Sequence, residues 1–170
     1  MRRDARLAVE IAAAFHDAIR SNYVPAFGPT GNFGAASVLA HENVLTRMTA
    51  SAGEASPIPF ALWPTKTFAY RQYAMYLNGE GIQVIHQPAA HTDGDTVVFF
   101  RRGDVIATGD LIDTTRFPVV DVARGGSVQG LLDALNRLLD MSILNVPLQW
   151  HPDRTFLVPG HGHVYDTFDL

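Results

Sequence analysis

The sequence predicts a layered α/β domain whose sheet is mostly antiparallel. Alternating apolar residues over 72–77 and 82–87 indicate one β-hairpin, and residues 96–100 and 105–108 indicate a second. Helical patterns lie before, between and after these strands, which is the order expected of layered α/β domains. With 170 residues, 47% of them hydrophobic, the chain is long enough to bury a core, and we expect a single domain over residues 1–170.

Three helices are predicted from caps and apolar spacing. Asp4 caps a helix that runs to about Arg20, and residues 42–48 form a short second helix. Ser127 caps a third helix over residues 128–139. The apolar stripe of this third helix consists of Leu131, Leu132, Leu135, Leu138 and Leu139.

Shorter strands and their turns complete the predicted sheet. Residues 37–40, 67–70 and 155–158 are short apolar or β-branched runs bounded by turn residues. Residues 78–81 offer the positive φ angles of a hairpin turn, and residues 22–34 carry too many Pro and Gly residues to be anything but a loop.

Composition excludes several classes of function. A net charge of −4 with scattered basic residues argues against a nucleic-acid or anionic-membrane partner. The absence of cysteine excludes disulfides, thiolate metal sites and a cysteine nucleophile, so His and carboxylates are the available metal ligands. No apolar run approaches the roughly 20 residues of a membrane span, and charges interrupt the N-terminal segment. We therefore expect a cytoplasmic protein with a small-molecule substrate.

Three segments place a potential metal ligand after a strand-like run in a Gly-rich setting. They are Ala90-His91-Thr92-Asp93-Gly94-Asp95, Thr108-Gly109-Asp110 and Val158-Pro159-Gly160-His161-Gly162-His163. Strands fix the direction of a ligand, while glycines let backbone and substrate approach closely. Imidazole and carboxylate suit zinc, iron or manganese, and an open coordination position lowers the pKa of water to about 7. The pattern therefore favours metal-dependent hydrolysis.

In this order and spacing the three segments resemble the metallo-β-lactamase superfamily, in particular its cyclase- or glyoxalase-like members. The resemblance covers roughly residue 31 to the C-terminus. Further stretches that resemble the family are Ala40-His41-Glu42-Asn43-Val44, Leu77-Asn78-Gly79, Phe117-Pro118-Val119-Val120-Asp121 and Gly125-Gly126-Ser127. The resemblance implies a partial αβ/βα sandwich of the metallo-β-lactamase type.

The resemblance also implies a site and a reaction. His91 would bind one metal ion, His161 the other, and Asp110 would bridge them and orient the nucleophile. The ions would be zinc, one or two in number, with iron or manganese as alternatives. A metal-bound hydroxide would attack an ester, lactone, thioester or amide carbonyl.

One family motif is missing from this sequence. The family's His-x-His-x-Asp-His motif precedes a turn that corresponds here to residues 30–32, and counting back places Val24, Ala26, Gly28 and Pro29 at the ligand positions. The strands before the first helix also have no counterpart, so the sequence resembles a member shortened at its start. The alternative hypothesis is therefore an inactive remnant that serves as a binding or assembly module. An exposed sheet edge would favour a homo-oligomer.

The remaining histidines have ordinary structural interpretations. His16 is predicted to be solvated on the first helix, His41 to start the second helix, and His86 to face solvent from its strand. His163 is a weaker candidate for a replacement ligand.

Other polar and aromatic residues near the motifs have two interpretations each. Asp93 and Asp95 either hold His91 in its tautomer or are turn residues, and Asp121 is either an orienting residue or structural. Tyr165 and Trp150 either line a pocket or pack in the core.

Overall fold

A computed structural model describes residues 38–50, 63–142 and 155–166. Its strands are β1 (Leu39–His41), β2 (Lys66–Phe68), β3 (Gln72–Leu77), β4 (Glu80–His86), β5 (Thr96–Phe100), β6 (Val105–Asp113), β7 (Phe156–His161) and β8 (Tyr165–Asp166). Its helices are α1 (Glu42–Thr49), a 3₁₀ turn (Val122–Arg124) and α2 (Val128–Ser142). The predicted helix over residues 4–20, the loop over 22–34 and Ser37 lie outside the described residues.

Within the described residues, the main sheet has six strands in the order β3-β4-β5-β6-β7-β8. Neighbouring strands are antiparallel except for β6 and β7, which run parallel. A separate two-stranded parallel sheet joins β1 to β2. The prediction of a layered α/β fold with a mostly antiparallel sheet is confirmed.

Both predicted hairpins form, and their turns follow from local backbone chemistry. Asn78 and Gly79 have φ angles of 52° and 82°, and this pair of positive values belongs to the tight turn that matches strand twist. The β5–β6 turn ends at Asp104, whose φ is 49°. The Glu80 carboxylate accepts hydrogen bonds from the backbone N–H groups of Arg102 and Gly103 at 2.7 and 3.1 Å, which ties the two turns together.

Helix α2 covers the sheet and closes the core. Ser127 caps it as predicted, since its Oγ accepts the Gly130 N–H at 2.9 Å. Leu131, Ala134 and Leu138 are buried against the sheet. The sheet side of this core consists of Ile85, Val97, Ile106, Leu111, Ile112 and Leu157. The predicted stripe is wrong at Leu132, which is 50% exposed because the buried face of α2 turns towards Ala134 instead.

Strand boundaries differ from the prediction where long-range pairing extends a strand. The run predicted at 105–108 continues as β6 to Asp113, and the run predicted at 155–158 continues as β7 to His161, because each supplies the other with backbone partners. Among the described residues no helix is long and apolar enough to span a membrane. The cytoplasmic location and the homo-oligomer stay predictions.

We expect Leu138→Ala to destabilise the fold by about 2–5 kcal/mol, because Leu138 is fully buried and truncation leaves a cavity between α2 and the sheet. Leu132→Ala, on the exposed side of the same helix, should change stability by no more than about 0.5 kcal/mol. Urea denaturation followed by circular dichroism measures both. Equal effects of the two substitutions would contradict the placement of α2.

Candidate metal centre

Asp110 projects from an irregular stretch of β6. In the pairing with β7, Ala107 and Gly109 on β6 face the consecutive residues Val158 and Pro159, so Thr108 is an extra residue, and a second register shift follows between Gly109 and Asp113. Gly109 has a φ of 58°, a conformation that side chains disfavour, although a Cβ there would meet nothing within 4 Å. The glycine therefore serves the backbone turn, and bulges of this kind re-aim the following side chain.

His161 is the last residue of β7 and lies beside Asp110 because the two strands are neighbours. Its Nε2 is 3.4 Å from Asp110 Oδ1. Its backbone carbonyl accepts the Thr114 N–H at 3.1 Å, which anchors the strand end to the chain leaving β6. Gly160 is needed for space: a Cβ there would overlap Asp110 Oδ1 and lie 2.8 Å from the Gly109 carbonyl carbon.

His91 comes from the loop between β4 and β5. Its Nδ1 lies 2.7 Å from the Val119 carbonyl oxygen. Because a carbonyl only accepts hydrogen bonds, Nδ1 must carry the proton, and in the neutral ring Nε2 then presents a lone pair. That Nε2 is 4.0 Å from Asp110 Oδ2. The His91 backbone carbonyl also accepts the Asp121 N–H at 2.8 Å, so the segment after β6 holds both the ring and the main chain.

The three predicted ligands come together around the Asp110 carboxylate. Each carboxylate oxygen faces a different histidine, Oδ2 towards His91 and Oδ1 towards His161. The Asp110 side chain is 43% exposed, so small molecules can reach it. Over residues 38–50, 63–142 and 155–166, no three His, Cys, Asp or Glu side chains form a group that could hold one ion. Both observations are consistent with a carboxylate that lies between the two histidines, with a separate space on each side, and not with three donors directed at one point.

The placement of the ligands on strands differs from the prediction. Asp110 lies within β6 and His161 within β7, whereas His91 alone lies beyond a strand. The loop position of His91 follows from the local sequence, since Pro88 removes a backbone donor and Ala89 has a φ of 54°, which together prevent β4 from continuing.

The acidic residues near His91 are turn residues and do not orient its ring. Asp95 accepts the N–H and hydroxyl of Thr92, each at 2.8 Å, and burial raises the pKa of its carboxyl. Asp93 pairs with Arg47. Asp121 caps the 3₁₀ turn by accepting the Arg124 N–H at 3.0 Å. Sequence reasoning missed the partner of His91 because a main-chain carbonyl 28 residues away leaves no side-chain signal.

His163 contacts Thr114. Among the described residues, no ion pair joins its ring to the Asp110 carboxylate. Its Nδ1 lies 3.1 Å from Thr114 Oγ1, and its ring packs edge-on against Tyr165 at 4.9 Å between centroids. Tyr165 is half-buried and packs against the core, which favours the packing interpretation of that residue. His16, Trp150 and the positions Val24, Ala26, Gly28 and Pro29 lie outside the described residues.

A buried histidine pair stands behind the His91 loop. The rings of His41 and His86 stack with 3.6 Å between centroids and 10° between planes. His41 is only 4% exposed and, as predicted, starts α1: its Nδ1 accepts the Asn43 N–H at 3.3 Å. His86 is also buried, and its Nε2 lies 2.8 Å from the Asp93 carbonyl oxygen. The prediction that His86 faces solvent is wrong because His41, the last residue of β1, stacks on its ring.

Solved structures share this fold. BLEG-1, a B3 metallo-β-lactamase, matches 89% of this chain and 65% of its own length with 19% identity and a TM-score of 0.56. VMB-1 matches 76% of this chain and 51% of its own with 15% identity and a TM-score of 0.53. A metallo-β-lactamase from Pontibacter korlensis matches 62% and 45% with 21% identity and a TM-score of 0.48. No protein-family model and no curated protein matches the sequence.

The chain therefore has a metallo-β-lactamase fold, as the resemblance of its motifs implied. It spans 45–65% of the length of these three structures. At such low identities the similarity concerns the fold, and the chemistry of the site has to be argued from the side chains themselves.

We expect Gly160→Ala to destabilise the protein by about 1–3 kcal/mol, because the added Cβ would force the Asp110 carboxylate or the Gly109 backbone to move. Gly81→Ala is the matched control, since the nearest atom to its added Cβ is Arg101 Cδ at 4.0 Å. Chemical denaturation compares the two. A Gly160→Ala protein as stable as Gly81→Ala would show that the close approach is not needed.

Stability should decrease on acidification through His41. Burial, and then His86, lower the pKa of His41 from its ordinary 6.5, although Glu42, the Ala69 backbone and Asp93 oppose the shift. The unfolded chain therefore takes up this proton more readily, so stability is complete above pH 6.5 and is lost as the pH falls below it. His41→Asn keeps a capping acceptor but removes the titrating ring.

The free energy of unfolding, measured in urea at pH 8 and at pH 5, should differ less in His41→Asn than in the unmodified protein. His163→Asn, on an exposed histidine, is the control. An unchanged pH dependence in His41→Asn would contradict a role for the buried pair.

Proposed function

We propose that this protein is a metal-dependent hydrolase in which His91, Asp110 and His161 hold the metal. The observation that carries the proposal is the position of Asp110 between the two histidines, with one carboxylate oxygen towards each. His91 and His161 would each supply an imidazole nitrogen, and Asp110 its carboxylate, to one or two ions. Further ligands would have to come from residues beyond these three.

The side chains present fit a divalent transition metal. The Val119 carbonyl keeps the His91 proton on Nδ1, which is the tautomer that leaves Nε2 available as a donor atom. Imidazole nitrogen and carboxylate oxygen suit zinc, and they also suit iron and manganese. A bound ion of this kind would polarise a substrate carbonyl and lower the pKa of water towards 7.

The protein's own part in hydrolysis is orientation. Asp110 is the most exposed of the three side chains, and its carboxylate can accept a hydrogen bond from the attacking water molecule and direct it towards the substrate. The substrate we propose is a small molecule with an ester, lactone, thioester or amide carbonyl. BLEG-1, which shares this fold, is a B3 metallo-β-lactamase, so an analogy at the level of the fold points the same way, while the argument itself rests on the three side chains.

Metal analysis with single substitutions tests the proposal. We expect one or two equivalents of zinc, iron or manganese, and we expect His91→Ala, Asp110→Ala and His161→Ala each to weaken binding by more than about 100-fold. Partners that only support a ligand already contribute 10–100-fold, so a ligand should contribute more. Hydrolysis of an ester and lactone panel should fall in parallel. Asp140→Ala, on the exposed face of α2, is the control for removal of a carboxylate.

A folded protein with substoichiometric metal after reconstitution, and with no turnover on the panel, would contradict the proposal. That result would favour a binding or assembly module that keeps the scaffold alone.

A further inference from the structure

Helix α1 forms hydrogen bonds to two segments next to His91, the His91 loop itself and the 3₁₀ turn after β6. Arg47 on α1 forms an ion pair with the Asp93 carboxylate in the His91 loop. The same guanidinium nitrogen donates to the Arg124 carbonyl oxygen, at 3.0 Å, in the 3₁₀ turn after β6. One side chain therefore ties together two segments that are far apart in sequence.

The Asp93 backbone forms further hydrogen bonds next to this ion pair. Its carbonyl oxygen lies 2.9 Å from Asn43 Nδ2, which donates to it, and 2.8 Å from His86 Nε2. Its N–H donates to the Arg124 carbonyl oxygen at 3.0 Å. The same oxygen accepts the hydrogen bond from the Arg47 guanidinium. Arg47, Asp93 and Arg124 thus form a closed set of three contacts.

The 3₁₀ turn leads from Arg124 back to His91. Asp121 caps that turn through the Arg124 N–H, and the Asp121 N–H donates to the His91 carbonyl. Two residues before Asp121, the Val119 carbonyl oxygen accepts a hydrogen bond from Nδ1 of the His91 ring. The position of the His91 imidazole therefore depends on how the loop and the turn are held relative to each other.

We propose that Arg47 is a positioning residue for His91. Its guanidinium fixes the His91 loop against the 3₁₀ turn, which keeps Nδ1 on the Val119 carbonyl and Nε2 directed at Asp110. Through His91 this inference rests on the proposed function, but the orientation of the ring can be measured without any metal.

Arginine suits this position better than lysine. A planar guanidinium can meet a carboxylate and a carbonyl at the same time in fixed directions, whereas an ammonium group is a flexible point charge. The Arg47 and Asp93 side chains are 33% and 37% exposed, so the pair should add no more than a small amount to overall stability. Loss of orientation and loss of fold can therefore be separated.

The first test is nuclear magnetic resonance of the imidazole nitrogens in metal-free protein. In the unmodified protein we expect a single His91 tautomer protonated at Nδ1. Arg47→Met should give a mixture of tautomers, and Arg47→Lys should be intermediate. Asp93→Asn, which removes the charge from the other side of the pair, should act in the same direction. Arg101→Met, on the distant β5–β6 hairpin, should leave the His91 signals unchanged.

The second test is zinc affinity by competition with a chelator. Arg47→Met should bind zinc about 10–100-fold more weakly, with partial recovery in Arg47→Lys, while unfolding midpoints stay close to that of Arg101→Met. The proposal would be overturned if both Arg47→Met and Asp93→Asn showed the same His91 tautomer signals and the same zinc affinity as the unmodified protein. If no protein in the series binds zinc, iron or manganese, the proposed function fails, and the tautomer measurement alone decides the role of Arg47.

Discussion

The parallel pairing of β6 with β7 is the constraint on which the candidate site depends. Pairing elsewhere in the six-stranded sheet is antiparallel, and a parallel neighbour has to be brought back by a long connection, which here includes α2. This return places His161 beside Asp110, although 51 positions separate them. The bulge at Gly109 and the lack of a side chain at Gly160, whose place the Asp110 carboxylate takes, then let the carboxylate turn towards the histidine. A change in this register would separate the two side chains.

The third side chain is held by different means. His91 lies on a loop, and its ring and main chain are fixed by hydrogen bonds to Val119 and Asp121. Those bonds direct the ring at modest cost, since the groups involved are backbone groups that need partners in any case. Behind the loop, the rings of the buried pair His41 and His86 stack on each other. Core packing thus stabilises the fold behind the loop, whereas local hydrogen bonds orient the His91 ring.

Much of the fold could be predicted from the sequence, and so could the proximity of His91, Asp110 and His161, whose role as metal ligands stays a prediction. Apolar alternation and turn residues predicted both hairpins, and Ser127 predicted the start of α2, because these signals are local. The extension of β6 to Asp113 and of β7 to His161 could not be predicted, since each depends on a partner strand far along the chain. The same holds for His86, whose ring is covered by His41 from a distant strand, and for Val119, which acts through its main chain. Leu132 was misjudged because five leucines span more of a helix than one face can bury.

The bond between the Val119 carbonyl and His91 has a consequence for how this protein could diversify. Any residue at position 119 supplies the same carbonyl, so the side chain there, which is half exposed, can change without altering the state of the imidazole. The neighbouring Phe117 side chain is exposed as well. Selection or engineering could therefore vary the chemistry of this rim while the histidine behind it keeps its orientation. The surface chemistry of this segment and the orientation of His91 are therefore encoded in different atoms, side chains in the first case and a main-chain carbonyl in the second.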